Sequence, residues 1–254
     1  MLLRLVLGTA MLGIASLGVA SAGKLPPDIK RCVRSDPELS ECLRGAVEET
    51  LPKLKKGLPK LGLPVLDPLY VQELRITQGG QGPLNMDLTL SDLVTTGLLD
   101  NDKVYSASID LNSMTINASF VFARAVVSSN YTIKGRVLVL PVVGQGESKV
   151  VLHECFCVWK IQGKKLTKKD GKDYFEVIGV NLKMTPKKME MRFDNLFNGD
   201  KQLGNTINRV VNENWQLVYN EIGSSFEQAY AEVIKQHTRS LFLHVPIDDF
   251  LPVK

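Results

Sequence analysis

Few side chains in this sequence could do chemistry, and they are scattered. Among three histidines, His153 stands two residues before Cys155 in a strand-like run, where a Cys/His couple could activate a nucleophile. Strand neighbours at this spacing more often reflect packing. Asp248 and Asp249 could bind a cation, but adjacent carboxylates in a tail are usually capping groups or solvated. With no G-x-S-x-G, H-E-x-x-H, P-loop or G-x-G-x-x-G motif, the sequence predicts no enzyme, no metal and no cofactor.

The four cysteines form two pairs of different character. A disulfide between Cys32 and Cys42 would close a short loop and pin the N-terminal arm, stabilising by about 3 kcal/mol at most. Cys155 and Cys157 stand at i and i+2 of a strand and point the same way, so a bridge between them would be strained. We expect buried free thiols there. The alternatives are a metal site or a redox Cys-x-Cys pair, but no nearby His or Cys completes either.

The first 22 residues have the pattern of a secretory signal peptide. Arg4 precedes a smooth apolar run, and Ala20-Ser21-Ala22 supplies the small-x-small cleavage pattern. We therefore predict one secreted domain over residues 23–254. An uncleaved anchor is the alternative, since the run is near the short limit for a membrane span.

Two sequons would matter in a secreted chain. They are Asn117-Ala-Ser119 and Asn130-Tyr-Thr132, and both could carry glycans. The alternation of apolar and polar residues in the predicted strands places both asparagines on the outer face, as a glycan requires.

Composition excludes several classes of protein. The 254 residues are 44% apolar and 23% charged, with a formal net charge of +4, which excludes a disordered chain. The lysine pairs are scattered and no Arg-rich helix occurs, so no nucleic-acid partner is predicted. Four lysines in the Gly163–Gly171 stretch suit a solvated loop tip, or alternatively a docking patch for an acidic surface: Lys164, Lys165, Lys168 and Lys169.

Periodicity divides the chain into a short helix, a sheet and a long helix. Residues 37–56 are predicted to form an amphipathic helix, and a proline-punctuated stretch follows it. From about residue 69 to 193, apolar and polar residues alternate, which is typical of an antiparallel sheet with one wet face. We predict a slip within one strand between Leu111 and Met114, and turns at Ser128–Asn130, Gly144–Gly146 and Gly163–Gly171.

Asp200 to Arg239 are predicted to form a long helix. Unbroken, it would span roughly 60 Å, so either the domain is elongated or the helix bends at Gly204 or Gly223. Apolar residues step by four from Val218 to Ile234, and this stripe turns by roughly 160° round the helix. A flat sheet could not cover such a stripe, whereas a sheet curled around the helix could. The following tail is expected to dock back through Phe250 and Leu251.

An ordered set of short segments runs through the chain. It comprises the early cysteine pair, Leu66-Asp67-Pro68-Leu69, Gly135-Arg-Val-Leu-Val-Leu-Pro141, Asn212-Glu-Asn-Trp215 and Val245-Pro246-Ile247-Asp248-Asp249-Phe250-Leu251. Together they resemble the takeout / juvenile-hormone-binding protein family of insects. The resemblance implies an α+β fold: a long C-terminal helix wrapped by a highly curved antiparallel sheet, with a short N-terminal helix and a tunnel for one hydrophobic ligand. Hormone-binding members have a second disulfide, for which this chain offers no distant pair; this counts against juvenile hormone itself.

The resulting hypothesis is a secreted, monomeric carrier of a small hydrophobic ligand such as juvenile hormone, a terpenoid or a fatty acid, without stable membrane insertion. Each candidate lining residue could equally be ordinary core: Trp215, Val218, Ile222, Phe226 and Tyr230 on the helix, and Phe120, Phe122, Tyr131, Ile133, Val139 and Phe156 on the sheet. One alternative is an extracellular signalling or interaction protein whose cavity is filled only for structure. Another is an esterase that uses His153.

Overall fold

Six antiparallel strands form one sheet in residues 23–79, 82–100 and 102–254, which this computed structural model describes. The strands are β1 (Leu69–Gln78), β2 (Leu84–Thr96), β3 (Lys103–Asp110), β4 (Thr115–Val137), β5 (Leu140–Thr167) and β6 (Asp173–Phe193). The α-helices are α1 (Leu39–Thr50), α2 (Lys201–Glu213), α3 (Trp215–His244) and α4 (Ile247–Phe250). The predicted signal peptide, residues 1–22, lies outside the described residues.

Strand β4 is the central strand of the sheet. Its second half pairs with β2, from Leu84↔Val137 onward, and its first half pairs with β3. On its other side β4 pairs with β5 along its whole length, and β5 pairs with β6. In the order β1-β2-β4-β5-β6, β1 and β6 are the terminal strands, and β3 is a further edge strand that pairs with β4. The predicted antiparallel sheet is confirmed.

Two predicted turns are wrong because they lie inside strands. Ser128–Asn130 belongs to β4 and is paired on both sides. Gly144 and Gly146 belong to β5. A Cβ added at Gly144 would lie 3.0 Å from the Cα of Leu196, and one at Gly146 would lie 2.6 Å from the carbonyl oxygen of Asp194. Glycine occurs there because the chain leaving β6 passes close to β5, and no reversal is involved.

The chain reverses elsewhere. The stretch Leu111–Met114, predicted as a slip within one strand, is instead the hairpin turn between β3 and β4. The Asp110 carboxylate stabilises this turn by accepting a hydrogen bond from the Ser113 hydroxyl at 2.7 Å. The β4–β5 reversal occurs at Leu138, whose φ is 55°. The lysine-rich turn is shorter than predicted, because β5 continues to Thr167.

The long C-terminal helix is broken, but at neither predicted glycine. Gly204 and Gly223 are buried inside α2 and α3 respectively. The break falls at Asn214, where φ is −114° and ψ is 29°. The Asn214 side-chain amide donates to the carbonyl oxygen of Val210 at 2.8 Å, which satisfies an acceptor at the end of α2.

Helix α3 touches both edges of the sheet. At one edge, the Tyr219 hydroxyl donates to the carbonyl oxygen of Met184 in β6 at 2.9 Å. At the other, the Gln78 amide in β1 donates to the carbonyl oxygen of Glu221 at 2.8 Å. One helix can reach both edge strands only if the sheet curls around it. This confirms the predicted curved sheet around a C-terminal helix, with the short helix α1 near the N-terminus.

Side chains of α2 pair with the free edge of β6 as a further strand would. Asn212 accepts from the backbone N–H of Met191 at 2.9 Å and donates to its carbonyl oxygen at 2.7 Å. Asn208, one helical turn earlier, makes the same two bonds to Phe193, both at 2.9 Å. Two asparagines that are four residues apart on α2 thus face two residues that are two apart on β6. Their side chains occupy the free edge of β6 and protect it from pairing with other chains.

Asn212→Ala is expected to lower the free energy of unfolding by about 1 to 3 kcal/mol, because it leaves both backbone groups of Met191 without their partner. The measurement is urea unfolding followed by circular dichroism. Asn205→Ala, on the exposed face of the same helix, is the matched control and should change stability little. Equal effects in the two variants would contradict the edge-pairing role.

The N-terminal arm and the C-terminal tail pack on each other. Cys32 and Cys42 form a disulfide with Cα atoms 5.9 Å apart, and Cys32 shares a small apolar cluster with Leu251. The Arg34 side chain donates to the carbonyl oxygen of Leu251 at 2.8 Å and forms an ion pair with Asp248. The predicted docking of the tail is confirmed, and Asp248 serves a structural ion pair there.

Candidate ligand-binding cavity

An apolar cavity of about 130 Å³ lies between α3 and the inner face of the sheet. The strands and the segment before them contribute Leu63, Leu66, Leu69, Thr95, Leu98, Leu99, Phe120, Phe122, Ala125, Val127, Val150, Leu152, Cys157, Trp159, Leu182, Met184 and Met189. Helix α3 contributes Tyr219, Ile222, Phe226, Tyr230, Ile234, His237 and Thr238.

Five of the predicted lining residues stand in the cavity wall: Phe120, Phe122, Ile222, Phe226 and Tyr230. The helical members are spaced by four, so the stripe that turns round α3 supplies the helical side of the wall. On β4, the even-numbered positions Phe120 and Phe122 both face inward. Whether these residues bind a ligand stays a prediction.

Two predicted lining residues are placed outside the cavity. Val139 is 82% exposed because it lies in the turn between β4 and β5. Phe156 is 39% exposed and packs edge-on against Tyr105. Since neighbours on a strand point to opposite faces, the inward Cys155 and Cys157 force Phe156 outward.

Four others belong to the core and not to the cavity wall. Val218 and Ile133 are buried in the main apolar cluster, and Trp215 packs against that cluster. The Tyr131 hydroxyl donates to the carbonyl oxygen of Asp194 at 2.7 Å. These residues face inward as predicted, but they lie at the end of the sheet where α2 and the start of α3 fill the space.

Several lining residues were not predicted from the sequence. On α3, Ile234 already belonged to the predicted stripe although it was not named as a lining residue, and extending the stripe by three and four residues would have found His237 and Thr238. On β5, Trp159 shares the inward parity of Cys157. Thr95 gives no such signal, because a polar residue near a strand end resembles any solvated position.

Charge is excluded from the lining in the part of the chain that the structure describes: no Asp, Glu, Lys or Arg contributes to it. Burial lowers the pKa of His237, so its imidazole is neutral at neutral pH. Burial raises the pKa of Tyr230 to about 12, so its hydroxyl keeps its proton. The site therefore suits a neutral or weakly polar ligand and offers no counter-charge.

Cys155 and Cys157 are free and buried. The neighbouring Cys155 thiol and burial both raise the pKa of Cys157, so this thiol stays protonated. Its sulfur lies 3.8 Å from the carbonyl oxygen of Cys155. Within the described residues, no group of three His, Cys, Asp or Glu side chains is placed to hold a metal.

His153 and Cys155 do not form a catalytic couple. Glu154 between them has a φ of 44°, which interrupts the regular alternation of the strand, so Cys155 points inward while His153 lies on the outer face. The His153 Nε2 atom lies 3.6 Å from a carboxylate oxygen of Glu190. The imidazole is thus separated from the cavity by the sheet itself.

Asp102 is a buried carboxylate near the cavity. It is 7% exposed, and neither of its oxygens has a hydrogen-bond partner within the described residues. Burial, followed by the charges of Asp100 and Asp67, raises its pKa to about 7. Leu99, three residues earlier, lines the cavity.

Both sequon asparagines, Asn117 and Asn130, are exposed on the outer face of β4. Their glycosylation stays a prediction. No helix of the described residues is both long and apolar enough to cross a membrane.

A sheet curled around a long helix, with an uncharged cavity between them, defines a protein that binds hydrophobic ligands. The chain belongs to the haemolymph juvenile hormone binding protein (JHBP) family, whose model matches residues 7–252.

Individual relatives agree with this assignment. The chain is similar to the circadian clock-controlled protein daywake of Drosophila melanogaster, with 23% identity over 230 residues, covering 89% of this chain and 87% of that protein. The daywake protein of Drosophila yakuba is 22% identical over the same length. The crystal structure of Epiphyas postvittana Takeout 1 superimposes with a TM-score of 0.79 and 26% identity, over 88% of this chain and 99% of that one.

Proposed function

We propose that the protein is a secreted, monomeric carrier that holds one small hydrophobic ligand in the cavity between α3 and the sheet. The observation that carries the proposal is the apolar cavity of about 130 Å³, whose lining has no charged side chain within the described residues. Membership of a family of binding proteins supports it. The signal-like N-terminal sequence supports secretion.

Burial is the mechanism of binding. A ligand that buries about 300 Å² of apolar surface gains roughly 7 kcal/mol at 25 cal/mol per Å². Ordering of the ligand offsets part of this gain. The net gain corresponds to a dissociation constant between about 1 mM and about 1 μM, and a few polar contacts would tighten binding further. The juvenile hormones, terpenoids and fatty acids of the sequence hypothesis are all sufficiently apolar for this mode of binding.

The test is to purify the protein from its native source, extract it with organic solvent and identify the released lipid by mass spectrometry. A carrier is expected to remain folded after delipidation and to rebind the lipid reversibly in native mass spectrometry. Unfolding on delipidation would favour a cavity that is filled for structure, as in the interaction-protein alternative. A delipidated protein that stays folded and binds no lipid would contradict the carrier proposal.

A further inference from the structure

Two hydroxyl groups meet in the wall of the cavity. Thr95 lies near the end of β2 and Tyr230 lies on α3, and their oxygens are 2.5 Å apart. Both residues line the cavity. Their side chains are almost fully buried, with exposures of 1% for Thr95 and 6% for Tyr230.

One of the two O–H donors of this pair has no acceptor among the described residues. Each hydroxyl carries one O–H donor, and the bond between them uses one of the two. Within the described residues it is the only hydrogen bond that either side chain makes. The second O–H is therefore buried without a protein acceptor, which is costly unless a ligand supplies one.

The other hydroxyls and the thiol of the lining already have acceptors. Tyr219 donates to the carbonyl oxygen of Met184 at 2.9 Å, and Thr238 donates to that of Ile234 at 2.7 Å. The Cys157 sulfur lies near the carbonyl oxygen of Cys155. The spare donor of the Thr95–Tyr230 pair is thus distinct from these groups.

A ligand anion finds no positive charge in the lining. Trp159 is a neutral donor, and burial keeps His237 neutral at neutral pH by lowering its pKa. Asp102, a buried carboxylate near the cavity, would repel an anion further at about pH 8. An uncharged acceptor oxygen satisfies the spare O–H without this penalty.

We infer that the Thr95–Tyr230 pair is the polar anchor of the cavity, and that it selects a neutral oxygenated lipid over the corresponding hydrocarbon and free acid. The ligand would be an ester, ketone, aldehyde or epoxide whose oxygen accepts the spare O–H. This inference rests on the proposed function and narrows it to one chemical class.

The experiment compares three chains of similar length: hexadecane, methyl palmitate and palmitate. Each displaces the fluorescent probe phenylnaphthylamine from delipidated protein at about pH 8. The parent protein is expected to bind methyl palmitate about tenfold more tightly than hexadecane, the effect of one hydrogen bond to an otherwise unsatisfied donor. It is expected to bind palmitate at least about tenfold more weakly than the ester, because a buried anion without a counter-charge is strongly disfavoured.

The informative variant is the double substitution Thr95→Val with Tyr230→Phe. A single substitution leaves one hydroxyl free to donate, whereas the double variant removes both groups and creates no unpaired one. It should bind hexadecane like the parent and lose the preference for the ester, to within about twofold. Tyr70→Phe is the matched control, since that tyrosine is 63% exposed on β1 and does not line the cavity; the control should keep the ester preference.

The outcomes separate this inference from the proposed function. If the parent protein binds no apolar probe, the carrier function itself fails. If it binds the probe but shows no preference for the ester, or if the double variant keeps that preference, only the anchor is overturned. Palmitate binding as tight as that of the ester would overturn the selection for a neutral lipid.

Discussion

Asp102→Asn is expected to raise the free energy of unfolding by about 2 to 4 kcal/mol at pH 8. In the folded protein, burial and the charges of Asp100 and Asp67 raise the pKa of Asp102 from 3.8 to about 7. Since one pKa unit corresponds to about 1.4 kcal/mol, the full difference amounts to about 4 kcal/mol. The variant avoids it because asparagine has no charge to bury.

The sign of the pH dependence follows from proton counting. Between about pH 4 and pH 7 the folded state keeps the Asp102 proton while the unfolded state has released it, so stability falls as the pH rises. Above about pH 7 the contribution of Asp102 is constant. The asparagine variant lacks this contribution, and the difference between the two proteins should grow through this window.

The measurement is the urea midpoint of parent and variant at several pH values from 4 to 8. Asp87→Asn is the matched control, because Asp87 is an exposed carboxylate on β2 and is not among the charges that shift the pKa of Asp102. Its profile should remain close to that of the parent, since Asp102 stays buried. Parallel profiles for the parent and Asp102→Asn would show that Asp102 does not titrate as its burial indicates.

The sequence predicted the sheet and the wrapped helix for a physical reason. The alternation of apolar and polar residues shows which face of each strand is buried. The apolar stripe from Val218 to Ile234 shows how far round α3 the sheet must extend to cover it. Both are local properties of the chain. The correct fold class followed from them together with the family resemblance.

The positions of the turns could not be predicted in this way. Ser128–Asn130 looks like a turn, yet pairing with β2 and β5 on either side holds it extended. Gly144 is fixed by the close approach of Leu196, which is distant in sequence. Local propensity and long-range contact conflict at these places, and contact decides the conformation.

The division between core and cavity is also a long-range property. Phe122 and Tyr131 both face inward on β4, but only Phe122 lines the cavity. They differ in their position along the sheet, which the alternation cannot report. Phe156 was misplaced for a different reason. It stands between Cys155 and Cys157, which face inward, so the alternation of the strand already placed it on the outer face.

Ala125→Trp is expected to weaken binding of an apolar ligand about 100-fold, equivalent to about 2.7 kcal/mol. Ala125 is 1% exposed and lines the cavity from the middle of β4. An indole at this position extends into the space that the ligand would occupy. Because it fills empty volume and does not overpack a dense core, the cost to folding should be small compared with the loss of binding.

Val158→Trp is the matched control for this variant. Val158 is 42% exposed on the outer face of β5, next in sequence to the lining residue Cys157. Both variants are titrated with phenylnaphthylamine, and lipid copurifying with each is quantified after solvent extraction. The control should bind like the parent, while Ala125→Trp should bind little probe and carry little lipid at an unchanged melting temperature.

Should Ala125→Trp unfold, Ala125→Leu provides a smaller obstruction with a proportionally smaller loss of binding. If a folded Ala125→Trp protein bound the probe as tightly as the parent, the ligand would lie outside this cavity, because the cavity could not hold both the indole and a ligand.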